Sequence, residues 1–227
     1  MSDQGRSIIV TERWGLIPFK EAWERQRELA FRVERGDAPN TLVLCQHPTV
    51  ITIGKNGTND NVLAAADLLH QKHIEVIDID RGGDVTVHNP GQLVGYPIFN
   101  LNSLKPDLHW FLRTLEASIV DTVSHFGIQS STVKGLTGVW VEETRKICAI
   151  GIHCRKWVIY HGFALNVFND LSDFGLIVPC GISDRAVTSI ALETAVKPLF
   201  EAVEKSVENS IRINFSVLTS INKIEIA

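Results

Sequence analysis

Arg81-Gly82-Gly83-Asp84-Val85-Thr86-Val87-His88-Asn89-Pro90-Gly91-Gln92 stands between two apolar, β-branched runs, Ile74 to Ile79 and Leu93 to Phe99. Each run has the length and composition of a buried strand, so the stretch between them reads as a turn-rich connection at the end of a sheet. Paired glycines have no Cβ, and they let a ligand's chain or carbonyl lie directly on the backbone. Arg81 can fix an anionic or carbonyl group, and the His88 imidazole can exchange a proton near neutral pH. A plain β-hairpin turn would also carry polar residues on its wet side. The concentration of chemically capable side chains in a loop held by buried strands favours a binding site instead.

Outward from this stretch, the chain alternates strand and helix patterns. Ser7 to Thr11 reads as a first strand. Phe19 to Val33 has helical spacing at Phe19, Trp23, Leu29, Ala30 and Val33, with Gly36 as a stop. Thr41 to Cys45 and Val50 to Ile53 read as strands, the second ending in Gly54-Lys55-Asn56-Gly57, and Leu63 to His70 as a short helix. Asp107 to Phe126 is the clearest helix: Asp107 caps it, and Trp110, Leu112, Leu115, Ile119 and Val123 give it an apolar face. Val139 to Val141, Lys146 to His153 and Trp157 to Asn166 read as consecutive antiparallel strands. Thr194 to Ile211 reads as a late helix with Pro198 in its first turn. No linker or repeat divides the chain, so residues 1–227 are expected to form a single α/β (α+β) domain with a mixed, largely antiparallel sheet flanked by helices.

Bulk composition bounds the function. The 227 residues are 44% hydrophobic and 21% charged, with a formal net charge of −4, which argues against nucleic-acid binding by phosphate neutralisation. No apolar run approaches the ~20 residues of a membrane span. The N-terminal residues lack the order of a secretory signal. Cys45, Cys148, Cys154 and Cys180 are too few and too scattered for a disulfide framework, and no C-x-x-C pattern suggests a metal. A reduced, cytoplasmic protein without a metal site is expected.

Cys180 differs from the other cysteines. It lies in Ile177-Val178-Pro179-Cys180-Gly181-Ile182, where a turn can present Sγ beside free backbone N–H groups. Cys45, Cys148 and Cys154 sit inside apolar strand patterns, as small buried hydrophobes do. A thiol with a pKa near ~8.5 needs a helper to ionise at neutral pH. His is the usual helper, but Lys can serve: at ~4 Å an ammonium attracts a thiolate by up to roughly 4 kcal/mol at an effective dielectric near ~20. Lys146 opens the apolar strand Ile147-Cys148-Ala149-Ile150-Gly151-Ile152, where it can be either a solvated edge residue or a charge aimed at whatever the sheet cradles. Ala149 and Gly151 face Gly162 and Ala164 across adjacent strands. Such small side chains leave room for a straight apolar chain or allow close packing of neighbours.

Taken together, the Arg81 to Gln92 stretch with Tyr96-Pro97, Lys146-Ile-Cys-Ala-Ile-Gly151, His161-Gly-Phe-Ala-Leu-Asn-Val167 and Pro179-Cys-Gly-Ile182 resembles the lipoyl(octanoyl) transferases, in order, from about Leu42 to Ser189. The resemblance implies a fold shared with the catalytic domains of biotin- and lipoate-protein ligases. It implies Cys180 as nucleophile and Lys146 as its activator. It also implies acyl-group binding by Arg81, Gly82, Gly83, Asp84, Val85, Thr86, Val87 and His88, by Ala149, Ile150 and Gly151, and by Gly162, Phe163 and Ala164. The donor would be octanoyl-acyl carrier protein. The acceptors would be lipoyl domains of 2-oxoacid dehydrogenase complexes and the glycine cleavage H protein. No cofactor of the enzyme's own is implied, since phosphopantetheine arrives on the donor. The family usually has Gly after the motif His, where this chain has Asn89, a residue that tolerates left-handed backbone.

The donor is already a thioester, so no ATP is required, and no Walker-type loop or glycine-rich adenylate pattern is present. A two-step exchange is expected, in which Cys180 takes the octanoyl group and the acceptor lysine removes it. Backbone N–H groups around Cys180 and Gly181, helped by His161 or Thr86, would hold the oxyanion. Lys55, Arg145, Arg155 and Lys156 are candidates for a basic surface facing acidic partner domains. Three rivals stay open: an ATP-dependent lipoate- or biotin-protein ligase of the same fold, an amidotransferase between lipoyl proteins, and a non-catalytic acyl-carrier or lipoyl-domain binding module.

Overall fold

The computed structural model describes the backbone of residues 9–178 and 186–224, with side chains to residue 216. In chain order the first half contains β1 (Ile9–Leu16), α1 (Phe19–Arg35), β2 (Asn40–Gln46), β3 (Val50–Ile53), α2 (Ala66–Gln71), β4 (Glu75–Asp78), β5 (Val85–His88) and β6 (Gln92–Ile98). The second half contains α3 (Leu108–Ser124), β7 (Ser131–Val133), β8 (Leu136–Val141), β9 (Arg145–Arg155), β10 (Val158–Asn166), β11 (Ala186–Val187), α4 (Ile190–Thr194) and α5 (Phe200–Ile224). Eight strands form one sheet in the order β1-β2-β6-β10-β9-β8-β7, with β11 beside β9. Its pairs are antiparallel except β1/β2 and β11/β9. A second sheet of three strands, β4-β3-β5, packs apart from it.

Helix α1 follows Pro18, carries Glu21 in its first turn and Arg32 and Arg35 in its last, and stops at Gly36 in the left-handed region (φ 80°). That conformation lets the Gly36 and Asp37 amides donate to the Val33 and Arg32 carbonyls, the usual closure of a helix end by glycine. Ala22, Leu29, Ala30 and Val33 are buried, and the cluster they join includes Val43, Cys45, Val94, Tyr96 and Ala164 of the large sheet, while the buried Phe19 packs with Val50, Ile77 and Ile79. The opposite face of that sheet packs under α3 and α5. Asp107 Oδ1 accepts from the Trp110 amide at 3.0 Å and caps α3, while Phe111, Leu115, Ile119 and Val123 meet Val203, Val207, Ile211 and Phe215 of α5 in one core. Trp110 and Leu112, read as part of the apolar face, are half-buried, and the neighbouring Phe111 is fully buried.

Three elements differ from the sequence reading. The runs flanking the opening motif are strands of different sheets: β4 pairs in parallel with β3, whereas β6 lies in the middle of the large sheet. The motif itself supplies β5, antiparallel to β3 with Val87 opposite Ile51, so it carries the chain from one sheet to the other. The late helix begins at Phe200 and runs to Ile224, because α4 ends at Ala195, which has φ +54°, and Pro198 falls in the connection. Helix α2 starts at Ala66, since the amides of Leu63 and Ala64 donate instead to the Leu176 carbonyl.

Candidate active site

Small residues in register create a cleft between the two sheets. Ala149 of β9 faces Ala164 of β10, which faces Val94 of β6, and Gly151 faces Gly162. Strand residues alternate sides, so Ile150 and Phe163 project to the other face and join the core under α3 and α5. The Phe163 ring occupies the space above Gly95, where a Cβ would lie 2.0 Å from it. The cleft, of about 590 Å³, is lined by Arg81 to Thr86, His88, Lys146, Ala149, Gly151, His161, Gly162 and Ala164, and Ile150, Ile152 and Phe163 also border it although they pack into or against the core. Of the motif's residues Val87 is turned away and fully buried in the core of the small sheet. The two kinds of small residue serve differently. The space beside Gly162 is filled by the Gly95 carbonyl and Pro97, and that beside Gly151 by Gly82 and Arg81. These glycines therefore allow close backbone approach.

The motif loop is latched from several sides. The Gly82 amide donates to the Ile152 carbonyl of β9 at 2.9 Å, and Gly54, Lys55 and Asn56 donate to the carbonyls of Asp84, Arg81 and Gly83. Arg81 turns its guanidinium onto its own loop, donating from Nη1 to the Gly82 carbonyl (2.8 Å) and from Nη2 to the Asp84 carbonyl (2.6 Å). Gly83 has φ +96°, a conformation glycine takes without strain. Asn89 keeps a negative φ, so left-handed tolerance is not what it supplies. Its amide donates to the Asp170 carbonyl and Asp173 Oδ2, both at 2.8 Å, and its Oδ1 accepts from Asn169 at 2.9 Å.

His88 is 6% exposed. Its Nδ1–H donates to Gln92 Oε1 at 2.8 Å, and its ring stacks on Phe19 with centroids 5.7 Å apart. Burial, reinforced by the neighbouring His47, pushes its pKa down to about 3. His47 donates from Nδ1 to the Ile17 carbonyl (2.7 Å) and accepts the Tyr96 hydroxyl at Nε2 (2.6 Å). Burial lowers it to about 4. The sequence allows His88 either to exchange a proton or to orient the motif loop; burial disfavours its charged form, and its bond to Gln92 fits the orienting role. Both histidines have folded pKa values below the ~6.5 of an exposed imidazole, so between those values only the unfolded chain takes up the protons. Their stabilising contribution is complete above pH ~6.5 and is lost as pH falls towards 4, with a limiting slope of about 1.4 kcal/mol per pH unit for each histidine. Urea unfolding followed from pH 7.5 to 4.5 should show this decline, and a flat profile would refute the buried neutral assignment.

Asp80, which sequence reasoning passed over, is a hub. It accepts from His161 Nε2 at 2.8 Å and from the Tyr160 hydroxyl, and its carbonyl accepts from His153 Nδ1 at 2.9 Å. Burial raises its pKa, but the hydrogen bonds from His161 and Tyr160 outweigh that and hold it well below the usual carboxylate range. Nothing local marks it, because its partners lie more than seventy residues away. The hub also places His161. It pairs with Ile152 of β9, six residues from Lys146 and therefore roughly 20 Å along the strand. His161 thus belongs to the far end of the cleft, away from Lys146.

Lys146 lies opposite Trp140 of β8, with Nζ 4.6 Å from the indole centroid, within range of a cation–π contact. Gly138 lies beside it: φ is +123°, and a Cβ would clash with the Cys148 carbonyl oxygen at 2.6 Å while making only ordinary contact with Lys146 Cε at 3.7 Å. The buried Glu116 accepts from the Gly138 amide at 3.0 Å and pairs with Arg113 at 2.6 Å. Cys180, with Pro179, Gly181 and Ile182, lies outside the described residues. The flanks of that segment are described. The Val178 amide donates to the Asn61 carbonyl at 2.8 Å, and β11 runs parallel to β9 with Val187 opposite Lys146 and the Thr188 amide bonded to the Lys146 carbonyl. Burial pushes the thiols of Cys45, Cys148 and Cys154 up, which keeps them protonated. Arg145 is taken by Glu142 and Glu193, and Lys156 by Glu34, so neither adds uncompensated charge to a basic surface. Among the described residues no cluster of three His, Cys, Asp or Glu could hold a metal. No described helix is long and apolar enough to cross a membrane.

Residues 18–212 match the family described as Lipoyl protein ligase A/B catalytic domain. The chain is 47% identical over 199 residues to an octanoyltransferase of Solibacter usitatus, covering 88% of this chain and 90% of that one. It is 48% identical over 181 residues to an octanoyltransferase of Thermosynechococcus vestitus, covering 78% and 76%. Among solved structures, a bipartite lipoate protein ligase of Thermoplasma acidophilum aligns with a TM-score of 0.70 at 14% identity, covering 93% of this chain and 84% of that one. A biotin protein ligase of Aquifex aeolicus aligns at 0.53 and 14% identity, covering 93% and 70%. At such identities the likeness is one of fold.

Proposed function

The chain belongs to the lipoyl protein ligase A/B catalytic domain family, and on that premise we propose how its residues carry an octanoyl group from one protein to another. It is an octanoyltransferase acting in protein lipoylation. Cys180 and Lys146 are the catalytic pair, and the cleft over Ala149 and Ala164 holds the acyl chain. The donor is octanoyl-acyl carrier protein, the acceptor a lysine of a lipoyl domain, and residues 1–227 work as one catalytic domain with no cofactor of its own.

The observation that carries this reading is the pairing of β11 with β9. It returns the chain seven residues after Cys180 to the side of Lys146, a separation the chain spans in at most about 25 Å. Two residues before Cys180, Val178 is tied to Asn61. Both ends of the cysteine segment are thus docked beside the cleft that Lys146 lines.

In the first step the Cys180 thiolate, paired with the Lys146 ammonium, adds to the thioester carbonyl. The bond to the carrier's sulfur breaks, and the departing thiolate takes a proton from Lys146. An octanoyl-enzyme and a neutral Lys146 remain. In the second step the acceptor amine adds to the new thioester, Lys146 accepts the amine's proton, and Cys180 leaves as thiolate. The ammonium–thiolate pair is restored, and no proton is gained or lost by the enzyme over the cycle. Incubation with octanoyl-acyl carrier protein, without ATP, should give an octanoyl adduct that peptide mapping places on Cys180. An adduct on Cys45, Cys148 or Cys154 would overturn the pair. A requirement for ATP with free octanoate would select the ligase reading.

A further inference from the structure

Asn61 belongs to none of the stretches treated as functional so far. It closes a short 3₁₀ turn, Asn59–Asn61, between β3 and α2. Its Nδ2 donates to both carboxylate oxygens of Asp84, each at 2.9 Å. Its backbone carbonyl accepts from the Val178 amide at 2.8 Å. One residue therefore holds the cleft's motif loop on one side and, on the other, the chain two positions before Cys180. Both attachments are reinforced. Asp84 Oδ1 also accepts the Val85 amide at 2.7 Å, and its carbonyl accepts Arg81 Nη2. Beside Val178, Ile177 bridges to Val62 and the Leu63 amide donates to Leu176. A bond to a carboxylate is stronger and more directional than one between neutral groups, which suits a link that must transmit position.

We propose that Asn61 is a positioning residue: through Asp84 and Val178 it ties the cleft loop to the chain that leads into Cys180, and so governs how readily the thiol reacts with a seated acyl carbonyl. The proposal rests on Cys180 being the nucleophile. Asn61 touches neither substrate nor thiol. Its loss leaves the cleft and its affinity in place while loosening the approach of sulfur to carbonyl. A misplacement of about 1 Å in a reacting group costs up to ~10²-fold in rate.

The test is single-turnover acylation by octanoyl-acyl carrier protein, with adduct mapping in every variant. Asn61→Ala should acylate about 10- to 100-fold more slowly, with half-saturation by the donor unchanged within twofold and a melting temperature close to that of the parent. Asn61→Asp should be slower still, since it sets two carboxylates face to face. Adding Asp84→Asn to Asn61→Asp restores a donor opposite an acceptor and should recover at least tenfold of the lost rate. Acylation of Asn61→Ala at the parent rate, on Cys180, would overturn the positioning role and leave the nucleophile intact. A loss that the paired exchange does not recover would also overturn it, as would a loss that appears only in half-saturation. An adduct on another residue in the unmodified protein would overturn the nucleophile assignment itself, and this proposal with it.

Discussion

Lys146→Arg should accumulate the octanoyl-enzyme: donor-dependent acylation of Cys180 persists, and transfer to the acceptor amine falls by about 10²–10⁴-fold. The two halves of the cycle ask different things of this side chain. Thiolate formation needs a positive charge near sulfur, and a guanidinium supplies one. The carrier sulfur leaves as thiolate and can take its proton from solvent, so acylation proceeds, but the second step needs a proton acceptor, whereas arginine stays charged under all ordinary conditions. Lys146→Ala removes the charge as well and should slow acylation itself, while Cys180→Ser should give no thioester adduct. The local geometry favours a clean experiment. Lys146 lies along the Trp140 face beside Gly138, so the longer guanidinium has a flat surface to stack on. Intact mass after mixing donor, enzyme and acceptor reads the result directly. Turnover of the Arg variant at the parent rate would show that Lys146 moves no proton.

Gly151→Ala should weaken donor binding by tenfold or more and cost about 1–3 kcal/mol of stability. The added methyl would lie 2.5 Å from the Gly82 carbonyl oxygen, 2.9 Å from Arg81 Nη1 and 3.0 Å from Arg81 Cδ. The nearest of these is backbone, and it cannot retreat freely. The Gly82 amide is bonded to the Ile152 carbonyl on the same strand, and Arg81 is bonded to the carbonyls of Gly82 and Asp84. Relief requires the loop to lift from β9, which opens the wall of the cleft at that end. Gly175→Ala is the matched control, with nothing within 4 Å of the new methyl. Thermal melts and half-saturation by the octanoyl donor separate the two. Equal behaviour of both variants would mean that the Gly82–Ile152 contact does not shape the cleft.

The helices were legible where short-range signals agree with burial. Apolar spacing from Phe19 to Val33, Gly36 in a left-handed turn and Asp107 on the Trp110 amide all act within a few residues. The β8, β9 and β10 succession was legible for the same reason, since neighbours in sequence are joined by tight turns and pair with one another. Part of the candidate site was legible in its composition, in that Arg81 to Thr86, His88, Lys146, Ala149 and Ala164 border one cleft.

Partnership between distant strands was not legible. Val85–His88 reads as part of a turn because its pairing partner, β3, comes some thirty residues earlier, and a strand is stabilised by a neighbour as much as by its own residues. Asp80 and Asn61 look like ordinary polar loop residues, since a carboxylate or amide acquires meaning only from what is folded against it. The amino-acid order thus specified which chemistry the chain can carry, where α1 stops and where α3 starts. Which sheet the motif enters, which histidines lose their protons and which glycines must stay bare were settled by long-range packing, because backbone pairing, desolvation and steric contact are properties of neighbours in space.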